Sequence, residues 1–169
     1  NVTGVQTCAL PISMIKAVAL VVKSNPEVEL RIHGPVKQEL RKLVEDLRMG
    51  DHITFLPECP QQELARSMRE CHALILFSRY ETFGNVVIEA NACGLPVVTS
   101  NYPTFQETVA DGINGMKAAG QEPEDLAITL LELIRNYHSF DRTKIAQTAT
   151  ASYSYPAIGK QFDAVYHDV

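Results

Sequence analysis

The chain has 169 residues, 46% of them hydrophobic and 21% charged, a composition that fits one ordinary globular domain and excludes a disordered tail or two complete catalytic domains. At this length about 70% of the unfolded surface can be buried, so a core needs neither disulfides nor metal. The 15 Lys and Arg against 20 Asp and Glu give a net charge of −5, the wrong sign for a nucleic-acid partner, although a local pocket for one small anion stays compatible with it.

In chain order, the first expected helix covers 14–24, with Pro11 ending any extended stretch before it and Ser13 placed to cap it. Its apolar run 17–22 is the longest in the chain and far too short to cross a bilayer. A strand follows over 28–33. In 37–49 the apolar residues Leu40, Leu43, Val44 and Leu47 fall at i, i+3, i+4 and i+7, one helical stripe that Gly50 terminates. A strand over 52–56 leads to Pro60, suited to a first helical turn, and Leu64, Ala65, Met68 and Cys71 form the next stripe. Strands over 73–77 and 96–99 are apolar with little alternation, as expected where both faces of a parallel sheet are covered. A weaker strand covers 115–118, Ala127, Leu130, Leu131 and Ile134 mark another helix, and 139–154 and 156–168 read as two closing helices. Short apolar runs alternating with amphipathic stretches are the rhythm of βαβ units, so the expected fold is α/β, a doubly wound parallel, Rossmann-like sheet. Ligand sites in such folds lie at the carboxyl ends of strands, here the loops starting at His33, Leu56, Phe77 and Thr99.

Cys8, Cys59, Cys71 and Cys93 lie far apart, without Cys-x-x-Cys spacing or a zinc-like cluster with histidine, and read as free thiols in a reducing, cytoplasmic compartment. His33, His52, His72, His138 and His167 are scattered, and His33, although it ends a strand, reads as a structural histidine.

The loop after 73–77 carries the chemistry. It runs Ser78-Arg79-Tyr80-Glu81-Thr82-Phe83-Gly84-Asn85-Val86-Val87-Ile88-Glu89-Ala90. Amides around Phe83 to Val86 are the unpaired donors of a helix start, where the dipole adds roughly half a positive charge and a phosphate is the natural ligand. Gly84 removes the side chain that would hold the backbone away from such an anion. Glu81 and Glu89 bracket the turn with seven residues between them. Two carboxylates beside a phosphate site suit a ligand with hydroxyls at both ends of a diphosphate, such as a nucleotide sugar. Spacing alone serves equally well for a solvated loop acid at Glu81 and a helix-surface acid at Glu89. Arg79 reads as a solvated loop arginine.

The residues in register are Ser78, Glu81, Phe83, Gly84, Glu89, Ala90, Ala92, Gly94, Pro96, Val97 and Val98. They resemble the Glu-x7-Glu motif of retaining GT-B glycosyltransferases, especially glycosyltransferase family 4. The strand ending at Gly34-Pro35, the strand over 53–56 and the turn Asp111-Gly112-Ile113-Asn114-Gly115 extend the resemblance over roughly 14–169. It implies the C-terminal, donor-binding half of a GT-B fold. Glu81 would act at the reacting centre of the donor sugar, Glu89 on the ribose hydroxyls, and Phe83, Gly84, Asn85 and Val86 on sugar and diphosphate. Leu56, Pro57 and Glu58 would lie beside the base. A nucleotide-diphosphate sugar is the implied donor substrate, with no cofactor and no metal, because helix amides stabilise the leaving diphosphate.

Departures from the family set further expectations. Residues 1–13, NVTGVQTCALPIS, are unlike the family and resemble translated sequencing-adapter sequence, so the family domain is taken as 14–169. The family's Gly-Arg strand end and nearby lysine, which grip the diphosphate, are not matched, and the run ending at Glu107 lacks the glycines of the family's Gly-Gly-x-Pro-Glu turn. The N-terminal acceptor domain is the expected missing partner; peripheral membrane association, if any, would come through that half, and this half alone would be inactive. Competing readings are a non-catalytic Rossmann-like nucleotide or phosphate module and a GT-B-fold sugar-nucleotide epimerase. In the family's sheet order the first strand is central, between 28–33 and 73–77, so part of 3–10 is expected to fill that slot as a parallel strand.

Overall fold

A computed structural model of the chain describes residues 2–5 and 10–167. Six strands form one sheet, β1 (Val2–Val5), β2 (Leu30–His33), β3 (Ile53–Leu56), β4 (Ala73–Leu76), β5 (Val97–Thr99) and β6 (Gly115–Lys117), in the order β3-β2-β1-β4-β5-β6. All pairings between them are parallel. The helices are α1 (Pro11–Val22), α2 (Gln38–Asp46), α3 (Gln61–Arg69), α4 (Asn85–Ala92), α5 (Pro103–Thr108), α6 (Pro123–Arg135), α7 (Arg142–Tyr153) and α8 (Tyr155–His167). The order reverses between β1 and β4, the position at which open α/β sheets form their ligand crevice. Among the described residues no helix is long and apolar enough to cross a membrane.

The expected central slot is filled by β1, whose residues pair with β2 on one side and β4 on the other. Its start differs from expectation at the neighbouring helix. Ser13 does not cap α1; the helix begins at Pro11, with Leu10 in the capping position and no side-chain cap. Proline is pre-organised for a first helical position and lacks only a donor that a helix start leaves unused. The Leu10 N–H is taken by the carbonyl of Phe77 at 2.7 Å and its carbonyl accepts from Met14 at 3.0 Å, which ties the entry of α1 to the end of β4.

Along β4 the side chains serve two cores. Ala73, Ile75 and Phe77 join the cluster formed with α1, α2 and α6, while Leu74 and Leu76 join Met68 of α3, Val87 and Ala90 of α4 and Phe105 of α5. A strand with period-two side chains and a helix layer on each face leaves no polar position, and every residue of β4 is buried.

A buried amide pair joins the exit of α4 to the turn before β6. Asn91, 4% exposed, donates through Nδ2 to the carbonyls of Leu95 at 2.8 Å and Asn114 at 3.1 Å. Asn114 Nδ2 donates to Asn91 Oδ1 at 2.9 Å and to the Thr108 carbonyl at 2.8 Å, and its Oδ1 accepts from the Ala110 N–H at 2.7 Å. Gly115 completes the turn because a Cβ there would lie 2.5 Å from the Val97 carbonyl oxygen across the β5-β6 pair. Asn91→Ala removes three of these bonds at once and strands the Leu95 carbonyl, at about 1–3 kcal/mol for a buried group left unsatisfied. Urea unfolding of Asn91→Ala is expected to show a loss of at least about 2 kcal/mol, and an unchanged midpoint would refute the structural weight given to this network.

Candidate functional site

The loop from β4 to α4 is held on three sides before it reaches Gly84. Ser100, just beyond β5, donates from Oγ to the Ser78 carbonyl at 2.6 Å and accepts from the Ser78 N–H at 3.3 Å. Both serines are about 1% exposed, so this reciprocal pair fixes the first residues after two adjacent strands. Ser78 Oγ donates to the Tyr80 carbonyl at 2.7 Å, which turns the chain outward. Thr104 at the start of α5 then donates from Oγ1 to the Glu81 carbonyl at 2.8 Å, while the Glu81 carboxylate accepts from the Thr82 N–H at 3.1 Å.

Gly84 ends the loop in the left-handed region, with φ +72° and ψ +47°, and no side chain caps the helix that starts at Asn85. No side chain therefore takes the first amides of α4, although the Val87 N–H is spent on the Gly84 carbonyl at 2.8 Å, and the dipole at this helix start favours an anion. An added Cβ at Gly84 would lie 2.9 Å from Cε1 of Phe105, and Phe105 is fully buried and cannot step aside. Conformation and space both require glycine here.

The structure places Glu81, Phe83, Gly84, Asn85 and Val86 on this one turn. Glu81 is half-buried, Asn85 is exposed, and the Phe83 ring is 46% exposed. Leu56 ends β3, and Pro57 and Glu58 continue into the exposed segment before α3. That segment meets α4 through Gln61 at the start of α3, whose Nε2 donates to Glu89 Oε1 at 3.2 Å. Between α3 and α4 lies an open groove of about 310 Å³, lined by Gln61, Leu64, Met68, Glu89, Ala92 and Cys93 among others. In it, burial pushes the Cys93 thiol up despite the opposing charge of Arg69. Its neutral form is thus favoured by folding, which adds stability below the ordinary thiol value and loses it as the pH rises through the folded value.

His33 bonds Ser67 Oγ through Nε2 at 2.9 Å and has the Cys59 Sγ 3.7 Å from Nδ1, as a structural histidine pinning β2 to α3. Arg79 is exposed, as expected of a loop arginine. The larger cavity, about 460 Å³, lies elsewhere, between α4, α5 and α7, and includes Glu107 but not Glu81. Gln61, Ser100 and Thr104 were not expected from the sequence. Ser100 and Thr104 act on the loop and Gln61 on α4, each from a different part of the chain, and only the fold brings them together.

Residues 11–151 match the family described as Glycosyl transferases group 1. The chain belongs to that family. Among curated relatives of this glycosyl transferase group 1 chain, a D-inositol 3-phosphate glycosyltransferase of Frankia alni is 42% identical over 99 residues, 59% of this chain and 24% of the relative. Another, from Streptomyces bingchenggensis, is 34% identical over 140 residues, 76% of this chain and 31% of the relative. The chain thus spans about a quarter to a third of the curated relatives' length. Among solved structures, HepE of Anabaena in complex with UDP superposes with a TM-score of 0.84 at 22% identity, covering 99% of this chain and 49% of that one. The pneumococcal O-GlcNAc transferase GtfA, in complex with UDP and GlcNAc, gives 0.83 at 20% identity, covering 98% and 35%. These likenesses establish the α/β fold of GT-B glycosyltransferases.

The Gly84 geometry is directly testable. Gly84→Ala must hold a β-carbon in the left-handed region, at about 1–2 kcal/mol, and also displace Phe105. A drop of at least that size in unfolding free energy is expected, and wild-type stability in the variant would exclude this backbone conformation.

Proposed function

We propose that this glycosyl transferase group 1 chain binds a nucleotide-diphosphate sugar, with UDP as the nucleotide, as the donor half of a retaining glycosyltransferase. The observation that carries the reading is the uncapped start of α4 at the left-handed Gly84, set at the carboxyl edge of β4 between Glu81 and Glu89. In this reading the amides of Phe83, Gly84, Asn85 and Val86 hold sugar and diphosphate. Their fixed donors and the α4 dipole stabilise the charge that grows on the leaving diphosphate, so no metal or cofactor enters. Glu89 accepts from the ribose hydroxyls, and Leu56, Pro57 and Glu58 flank the base. Glu81 faces the reacting sugar, where its negative charge favours the oxocarbenium-like transition state. UDP in the names of structural neighbours supports the choice of nucleotide.

The acceptor belongs to an N-terminal partner domain, through which any peripheral membrane association would run, and the working location is the cytoplasm with no role for nucleic acid. The donor domain is taken as 14–169, and the family match itself begins at residue 11. Without a second domain nothing aligns an acceptor, and the proximity advantage worth up to about 7–11 kcal/mol is lost. The chain by itself is therefore expected to bind UDP and to transfer sugar poorly, and efficient transfer by the chain alone would overturn this division of labour.

Ribose contacts are made equally in ground and transition states, whereas contacts at the reacting sugar strengthen as charge develops. Calorimetric titration of the chain with UDP should show Glu89→Ala weakened by about 2 kcal/mol and Glu81→Ala close to wild type. In a full-length enzyme Glu81→Ala should instead lower turnover. Failure of wild type to bind UDP, or equal losses in both variants, would sink the assignment.

A further inference from the structure

We infer that Gln61 is a positioning residue of the donor site, holding the Glu89 carboxylate in the orientation that recognises a vicinal diol; this rests on the reading of Glu89 given above. The 3.2 Å bond from Gln61 Nε2 to Glu89 Oε1 joins the first residue of α3 to the second turn of α4. The two residues face one another across the groove that otherwise separates these helices. No other hydrogen-bond partner holds the Glu89 carboxylate among the described residues.

A carboxylate offers about four lone-pair sites in one plane, and a 2′,3′-diol needs two of them with that plane correctly turned. The terminal torsion of a glutamate is broad and does not set the plane by itself. A single N–H donor on Oε1 sets it and leaves Oε2 and the second lone pair of Oε1 for hydroxyls. Because only Cys59 and Pro60 separate Gln61 from the segment of Leu56, Pro57 and Glu58, the same bond also couples the base side of the cleft to the ribose side. Base and ribose recognition are thereby linked through one side-chain amide. Gln61 is exposed and packs into neither core, so replacing it changes this bond and little else.

The test uses the chain itself, titrated calorimetrically with UDP and with 2′-deoxy-UDP, for wild type, Gln61→Ala, Gln61→Glu and Glu89→Gln, with thermal melting of each. Wild type is expected to prefer UDP over the deoxy ligand by about tenfold. Gln61→Ala should weaken UDP about three- to tenfold through the lost pre-organisation, while leaving 2′-deoxy-UDP nearly unchanged, so that the preference collapses with no change in melting temperature. Gln61→Glu sets a second carboxylate against Glu89 and should weaken UDP further. A Gln61→Ala chain that keeps the wild-type preference overturns the positioning role, and if Glu89→Gln in the same series loses the preference, the donor-site reading survives. Equal UDP affinity in Glu89→Gln and wild type overturns both.

Discussion

Burial of β4 on both faces is the constraint from which the site follows. Alternate residues of this strand feed two separate cores, with Ile75 and Phe77 on one side and Leu74 and Leu76 on the other. Helices cover both faces, so the backbone meets solvent chiefly at the strand ends. Between β1 and β4 the connections diverge in opposite directions, and the carboxyl edge opens there. The turn from Ser78 to Gly84 leaves β4 at this opening. Its position is a consequence of sheet order, while its shape is a consequence of local hydrogen bonds.

Those bonds come from elements that have little else in common. Ser100 sits after β5, Thr104 begins α5, and both hold backbone atoms of the β4 loop rather than its side chains. Backbone anchoring leaves the Glu81 carboxylate turned toward its own loop amide at Thr82. A loop so held does not have to be ordered at the moment of binding, which removes part of the entropy that association otherwise loses. Gly84 then converts a fixed loop into a helix start, because its left-handed conformation reverses the chain and its missing side chain lets Phe105 pack beneath it. The buried Phe105 thus supports the turn from below, and replacing the glycine would disturb both.

Sequence periodicity made most of this architecture legible. The apolar runs located five strands, and Leu40, Val44, Ala127 and Leu130 of the expected stripes face the core; the α6 face is turned by one position, with Leu126 and Leu133 buried and Leu131 and Ile134 only partly so, and Leu47 is exposed. Boundaries were less legible where hydrogen bonding rather than polarity decides them. The ladder of β2 begins at Leu30 and not at Val28, whose N–H is spent on a turn bond to Asn25. α5 has six residues, too few for a helical stripe to emerge. Within the site, Glu81, Gly84 and Glu89 stand in one contiguous run and could be read together. Gln61 lies 28 residues from Glu89, an ordinary polar residue at an ordinary helix start, and nothing in a linear pattern marks it. Contacts assembled by βαβ crossovers carry no sequence spacing of their own.

The central slot of the sheet shows how little side-chain information a parallel strand requires. β1 satisfies ladders on both sides through its backbone, with Thr3 opposite Arg31 and Leu74. Main-chain groups left unpaired there would each cost about 1–3 kcal/mol, a penalty that any extended segment of suitable length removes. Pairing is what this end of the chain contributes to the crevice, and it adds no basic side chain, since residues 1–13 contain neither Lys nor Arg. In the proposed donor-site reading, folding and anion binding therefore separate at this strand: backbone pairing completes the sheet, whereas the charge for a diphosphate comes from the other side of the crevice. There the α4 amides supply about half a unit of positive potential, and Arg79 is the nearest cation along the chain. In the donor-site reading, recognition by this chain rests on oriented amides and carboxylates, whose strength depends on how rigidly the loop from Ser78 to Gly84 and the α3-α4 bridge hold them.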